Sequence, residues 1–413
     1  MTKDITLDVE FCRDHFPELA GDWVLMENAG GTLVPRQVID RLNRYASHCQ
    51  VQPGEGYPAS DAAQTMIDEG RAALAALINA DPDEIVVGPS TTSNVYVLSH
   101  ALAPLLAPGD EIIVTNQDHE ANNGAWRRLA ALGVVVREWK MSRETDDLEL
   151  EDLEPLLNDR TRLVCFTHCS NIVGMIHDVK AIVKRIHAAG AMACVDGVAY
   201  TPHRRVDVKD LDVDFYLYSP YKIFGPHLGV LYGKREALAK TANQNHYFVP
   251  DEGDYQRSLC PGGPNHELTA AAGGIAEYFD ALHEHHFHGA NLAQPERLDN
   301  MFRLIAAHET ALAGRIGDYL ASKPSVRVVG QGAAARRERV GVFAFLVEGR
   351  DSREIAEKLR AAKIGAFADD FYAARCIDAI GARPQNGVVR VSVVHYNSGR
   401  DVDRLIAALE NIL

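Results

Sequence analysis

From about residue 84 the chain alternates short β-branched runs with helical patterns. EIVVG, EIIVTN, GVVVREW, RLVCFTH, AMACVD, VDFYLYS and GVLYG read as strands, and helix-length segments such as Ser93 to Leu106 and Val179 to Ala189 lie between several of them. Apolar residues three and four apart mark those segments as amphipathic helices. Strands that are apolar at nearly every position belong to a sheet covered on both faces, so the alternation predicts βαβ units and a mostly parallel seven-stranded sheet. After roughly residue 264 the rhythm changes to long helices, the clearest from Leu292 to Ser322. VRVVG, VGVFAFLVEG, the helix SREIAEKLRAAK, the strand VVRVSVV and the helix DVDRLIAALENIL follow. The expectation is an α/β protein with an arm over residues 1–19, a large domain over 20–265 and a smaller α+β domain over 266–413.

Composition narrows the function classes. The formal net charge of -15, from 57 acidic and 42 basic residues, argues against a phosphate-backbone partner such as nucleic acid. No run of about 18 apolar residues occurs and the N-terminus lacks the pattern of a signal peptide, so no membrane partner and a cytoplasmic location are expected. Seven cysteines without a CxxC pair read as reduced, mostly buried thiols. The histidine-rich HEHHFH, His283 to His288, fails the HExxH pattern because Phe287 takes the last position, so no metal site is expected and a solvated helix end is the better reading. Arg336, Arg337 and Arg339 read as a solvated loop.

In an open parallel sheet, ligands bind beyond the carboxyl ends of the strands. The residues there are polar in a particular way. EIVVG leads into PSTTSN, placing Thr91, Thr92 and Ser93 at a helix N-terminus, which suits either a phosphate or a plain Ser/Thr cap. EIIVTN leads to His119, RLVCFTH to Asn171, AMACVD ends in Asp196, and VDFYLYS ends in Ser219 with Tyr221 and Lys222 close behind. A buried lone carboxylate such as Asp196 needs a cationic partner. One ligand accounts for the set: pyridoxal 5'-phosphate (PLP) presents a phosphate, a pyridinium nitrogen, a phenolate oxygen and an aldehyde. Lys222, held near neutrality by apolar surroundings, would condense with the aldehyde. Taken alone, that lysine could equally be a structural one that snorkels to the surface.

ENAGG, PSTTSN, DHEANN, THCSNIVG, VDGVAY, YSPYKIFGPHLGVLYG, GGPNHE and VVRVSVVHYN fall in one order over nearly the whole chain. In that order the sequence resembles the class V aminotransferases, most closely their cysteine desulfurase-like branch. The resemblance implies PLP fold type I (aspartate aminotransferase-like) and a homodimer with shared active sites. It implies Lys222 as the lysine of the cofactor aldimine, Asp196 as partner of the ring nitrogen, and His119 stacked on the ring. It also implies Asn171 on the ring oxygen, and Thr92, Ser219 and Tyr221 on the phosphate. Arg390, with Asn171 and Ala29 beside it, would receive the substrate carboxylate, and Asn265 and His266 would reach the neighbouring subunit's site. The implied substrate is a small amino acid, and the implied chemistry is C–S cleavage or β-elimination; transamination or epimerisation of a non-sulfur amino acid is the alternative.

Two positions depart from the family pattern. Ala199 stands where a glutamine or histidine is usual. Cys376, in FADDFYAARCIDAIG, is near the place of the persulfide-forming cysteine. A helical reading puts it on one face with Tyr372 and Ala379 and favours a structural thiol. Asp369 and Asp370 just before it could face the substrate side chain.

Overall fold

A computed structural model describes residues 5–249, 253–289, 291–330 and 338–413. Its strands in chain order are β1 (Val24–Leu25), β2 (Ile85–Gly88), β3 (Glu111–Thr115), β4 (Val135–Trp139), β5 (Thr161–Thr167), β6 (Met192–Asp196), β7 (Phe215–Tyr218) and β8 (Gly229–Gly233). There follow β9 (Val326–Val328), β10 (Val342–Val347), β11 (Ile364–Gly365), β12 (Phe367–Asp369) and β13 (Val388–Ser392).

All seven strand-like runs of the large domain form one sheet, in the order β2-β8-β7-β6-β5-β3-β4. Only β8 is reversed, pairing antiparallel with both β2 and β7, while the other pairs are parallel. The expected mostly parallel sheet is therefore present. Six strands point their carboxyl ends to one side. β2, β3, β7 and β8 are buried at every position, as strands covered on both faces must be, whereas β4 at the edge is partly exposed.

The second sheet is antiparallel, in the order β12-β13-β10-β9. Its core, with Phe343, Phe345, Val389, Val391 and Leu405, also takes in Val24 and Met26, because β1 pairs with β11. The division expected at residue 265 falls before the helix His266–Phe287, whose Ile275, Tyr278, Phe279 and Leu282 lie in the large core. In the helix Gln294–Ala321, Leu298 to Ile305 face that core and Leu312 to Leu320 face the smaller one, so the change of core occurs within a single helix.

Three surface expectations are corrected. His283 is buried and stacks on Phe287, and His285 stacks on Phe11 with centroids 3.8 Å apart, so HEHHFH packs against the first helix instead of ending in solvent. Arg339 donates to the Val173 and Val342 carbonyls and lies over Phe343, which suits a guanidinium with a flat apolar face better than a solvated loop. Arg336 and Arg337 lie outside the described residues. The helix around Cys376 spans Ala374–Ile380 and excludes Tyr372, whose φ of +58° breaks it off, so those two residues do not share a face. Among the described residues no helix is long and apolar enough to cross a membrane.

Candidate active site

The carboxyl ends of the parallel strands converge on a cavity lined by Thr91, Thr92, His119, Asn171, Asp196, Ala199, Ser219, Tyr221 and Lys222, with Ser90, Cys169 and Val198 among the others. β3, β5, β6 and β7 each supply one to three of these side chains at the strand end or the turn that follows, which is why residues far apart in sequence meet there.

The helix Thr91–Leu102 starts at the cavity floor. Ser90 caps it, its Oγ accepting the Ser93 N–H at 3.1 Å and meeting the Ser93 hydroxyl at 2.9 Å. Ser93 is thus occupied by the cap and does not line the cavity. The Thr91 and Ser219 hydroxyls are hydrogen-bonded to each other at 2.7 Å. A Cβ at Gly229 would collide with the backbone of Ser90 and Thr91, so only glycine in β8 lets this helix end approach the sheet. The result is a cradle of N–H and hydroxyl donors suited to a phosphate.

Above it the charged groups are buried together. Lys222 is pushed down to about 8, first by burial and then by the Arg390 guanidinium; the Asp196 and Glu27 carboxylates oppose this. Asp196 is pushed up to about 6 by burial, although its Oδ1 accepts the Val198 N–H at 2.9 Å and Lys222 favours its charge. His119 is pushed down to about 3 by burial and by the Lys222 and Arg390 cations. Its Nδ1 accepts the Ala121 N–H at 3.1 Å, so the neutral ring carries its proton on Nε2. The buried set holds a base near neutrality, a carboxylate and a neutral imidazole within one enclosure.

A wider cavity opens outward from this one, lined by Glu27, Ala29, Asp369, Asp370, Phe371, Tyr372 and Arg390. Arg390 comes from β13 in the other sheet. Its guanidinium lies 3.7 Å over the Phe371 ring, donates to the Asn171 carbonyl at 3.2 Å and pairs with Glu27. Phe371 and Tyr372 both have positive φ, an uncommon conformation for bulky residues. The Asn171 amide donates to the Phe371 carbonyl at 3.1 Å, the Glu120 N–H donates to the Tyr372 carbonyl at 2.7 Å, and these bonds hold the segment across the cavity mouth. Asp369 and Asp370 each accept a backbone N–H of this turn.

Of the residues singled out in the sequence, Asn265 and His266 do not line this chain's cavity. Asn265 caps the helix His266–Phe287 by accepting the Leu268 N–H at 2.8 Å. Cys376 is 0% exposed, and burial raises its thiol far above the ordinary range. The sequence reading passed over Glu27 and Phe371 as contacts of Arg390. The only signal for Glu27 was a carboxylate at the head of the segment ENAGG, and its partner lies 363 positions away.

The buried ionisable groups make stability depend on pH, with a sign that can be worked out. His119, His168 and His395 are all pushed down to about 3 by burial. Their contribution is complete above 6.5 and is lost as pH falls towards 3. Burial pushes Asp118 up to about 7 and Asp196 up to about 6. Their contribution is largest below the ordinary 3.8 and is lost as pH rises through 6 and 7. At pH 5, the three protons that the unfolded chain takes up on these histidines outweigh the two held by the folded carboxyls, and burial of His15, His283 and His286 acts in the same direction, so stability rises with pH there. Urea unfolding is expected to show a lower midpoint at pH 5 than at pH 6, and an equal or higher one would contradict this balance.

Comparison with known proteins agrees with this geometry. The model of the family described as aminotransferase class-V matches residues 24–246 and 298–405. The chain is 38% identical to the aminotransferase-like protein FGM3 of Gibberella zeae, over 99% of each chain. It is 36% identical to the cysteine desulfurase-like protein ustD of Aspergillus flavus, over 98% of this chain and 91% of that one. The crystal structure of the cysteine desulfurase CsdA from Escherichia coli superposes with a TM-score of 0.83 at 25% identity, covering 98% of each chain. The fold is that of these desulfurases, and the chain belongs to the PLP-dependent class V aminotransferase family, in its cysteine desulfurase-like branch.

Proposed function

We propose that this chain binds PLP and acts on a small amino acid at Cα and Cβ, releasing the β-substituent without passing it to a cysteine of its own. The observation that carries the second half is burial: all seven cysteines are free and buried. A persulfide-forming thiol has to be exposed and easily ionised, and Cys376 is neither.

The cavity fits the cofactor. The glycine-made cradle with Thr91, Thr92 and Ser219 suits the phosphate, Asp196 the ring nitrogen, the Asn171 amide the ring oxygen, His119 the ring face and Lys222 the aldehyde. Bound there, PLP supplies an electron sink for a carbanion at the substrate α-carbon. The protein does the rest. Lys222, with its amine near 8, can remove and return the Cα proton near neutral pH. Arg390, fixed by Phe371 and the Asn171 carbonyl, takes the substrate carboxylate and so aims Cα at Lys222. The Nε2–H of His119 can donate to a leaving group at Cβ. Asp369 and Asp370 in the outer wall favour a polar substrate side chain.

A homodimer is part of the proposal. The exposed Tyr247 and Phe248 and the outward-facing Asn265 offer a surface for a second copy, and His266 lies beside Asn265 at the start of the same helix. The cytoplasm is the proposed setting, where seven unpaired thiols stay reduced.

With L-cysteine as substrate, the expected carbon product is pyruvate, from L-cysteine and water giving pyruvate, hydrogen sulfide and ammonia. A Cys376→Ala variant is expected to form it at the parent rate. Alanine as the product, or loss of turnover in Cys376→Ala with the fold intact, would show that a protein persulfide forms after all. Mass spectrometry of the carbon product decides between them.

A further inference from the structure

Glu27 belongs to the substrate side of the site, and holding the cofactor does not explain it. β1 is fastened beside the end of β13, where the Ser392 N–H donates to the Met26 carbonyl at 2.6 Å and the Ala29 N–H to the Ser392 hydroxyl at 2.8 Å. That fastening brings Glu27 to Arg390. Gly30 leaves the room required, since a Cβ there would stand 2.9 Å from Glu27 Oε1 and 3.5 Å from Arg390 Nη2.

The pair is incomplete. Arg390 Nη2 donates to Glu27 Oε1, but Arg390 Nε and Glu27 Oε2 are both buried without a hydrogen-bond partner among the described residues. A guanidinium and a carboxylate that fit well engage through two parallel bonds. The two ends also differ in freedom, because the Arg390 side chain is 2% exposed and that of Glu27 is 31% exposed, on the wall of the outer cavity. Arg390 has no way out, and a buried cation without a counter-charge is strongly unfavourable. Two carboxylates on one guanidinium repel each other. A ligand carboxylate at Arg390 therefore has to exchange with Glu27.

We propose that Glu27 is a built-in competitor for Arg390, an internal carboxylate that neutralises the guanidinium and is displaced by the carboxylate of an amino-acid substrate. The proposal rests on reading Arg390 as the substrate carboxylate site. Its consequence is selectivity. An amine lacking a carboxylate offers Arg390 nothing in exchange, so it gains no binding from Arg390, which stays paired with Glu27.

The test uses the holoenzyme and L-lactate, which has the carboxylate but no amine to react with the cofactor, with binding measured by calorimetry. Glu27→Gln keeps an acceptor for Arg390 and removes the competing charge. It is expected to bind L-lactate about tenfold more tightly than the parent, within the usual range of coupling between two ligands. General structural damage does not tighten binding. Glu27→Asp, which draws the charge back by one methylene, is expected to give a smaller gain in the same direction and serves if the Gln variant fails to fold. Unchanged or weaker L-lactate binding in the folded variants overturns the proposal. Arg390→Gln separates the two levels: it should abolish L-lactate binding, and unchanged binding there would overturn the assignment of Arg390 and the role of Glu27 with it.

Discussion

A Lys222→Ala variant is expected to lose about 10³-fold in turnover, the middle of the range for removing a positioned acid–base group. The reasoning starts from burial. An ammonium in this enclosure is disfavoured, so Lys222 gives up its proton near pH 8, where an exposed lysine would hold it. Alanine removes the base and leaves the cavity otherwise in place. Lys222→Arg is the sharper control, because a guanidinium keeps the charge but is not deprotonated in proteins. It should be as inactive as the alanine variant. Steady-state turnover with circular dichroism as the fold control checks both, and an arginine variant with a tenth or more of the parent rate would remove Lys222 from the proton-transfer role.

Asp196→Asn should cost about 10²-fold or more in turnover, as the loss of a buried charge that is aimed at a developing charge generally does. Asparagine is nearly isosteric and its amide oxygen can still accept the Val198 N–H, so the change is chiefly one of charge. A second effect follows from the same contact. The Asp196 carboxylate holds the Lys222 amine up against burial, so without it the amine should lose its proton at still lower pH. The acidic limb of the turnover–pH profile should move below its position in the parent. A drop in rate with an unshifted limb would mean that Asp196 and Lys222 do not share one electrostatic enclosure.

The two variants separate what lay in the sequence from what did not. Lys222, Asp196, His119, Asn171 and Ser219 were legible because each follows an apolar strand run, and the geometry of a parallel sheet brings the carboxyl ends of such runs together. The strands themselves were legible for a simpler reason: full burial on both faces requires apolar residues at every position. The Ser/Thr run at residues 91–93 suited either a phosphate or a helix cap. In the structure Ser93 is taken up by the Ser90 cap while Thr91 and Thr92 line the cavity, a division that depends on which hydroxyl reaches which N–H in the first helical turn.

The rest was decided by contacts between segments with no sequence relation. Cys376 and Tyr372 sit four residues apart, and helical spacing would put them on one face. One is fully buried and the other 76% exposed because positive φ at Phe371 and Tyr372 ends the helix between them. Those angles are held by hydrogen bonds to Asn171 and Glu120, which no local pattern announces. Arg390 could be picked out only through the family resemblance, and its pairing with Glu27 and its stacking on Phe371 exist only because β12 pairs with β13 and the Glu27 segment bridges to the end of β13. By itself, the sequence determined the sheet, the order of its strand-end residues and the cofactor chemistry they suit, because period, burial and strand ends are local properties. Only the tertiary structure decided which charges face one another and how far burial shifts them, because both depend on desolvation and on distances between segments hundreds of residues apart.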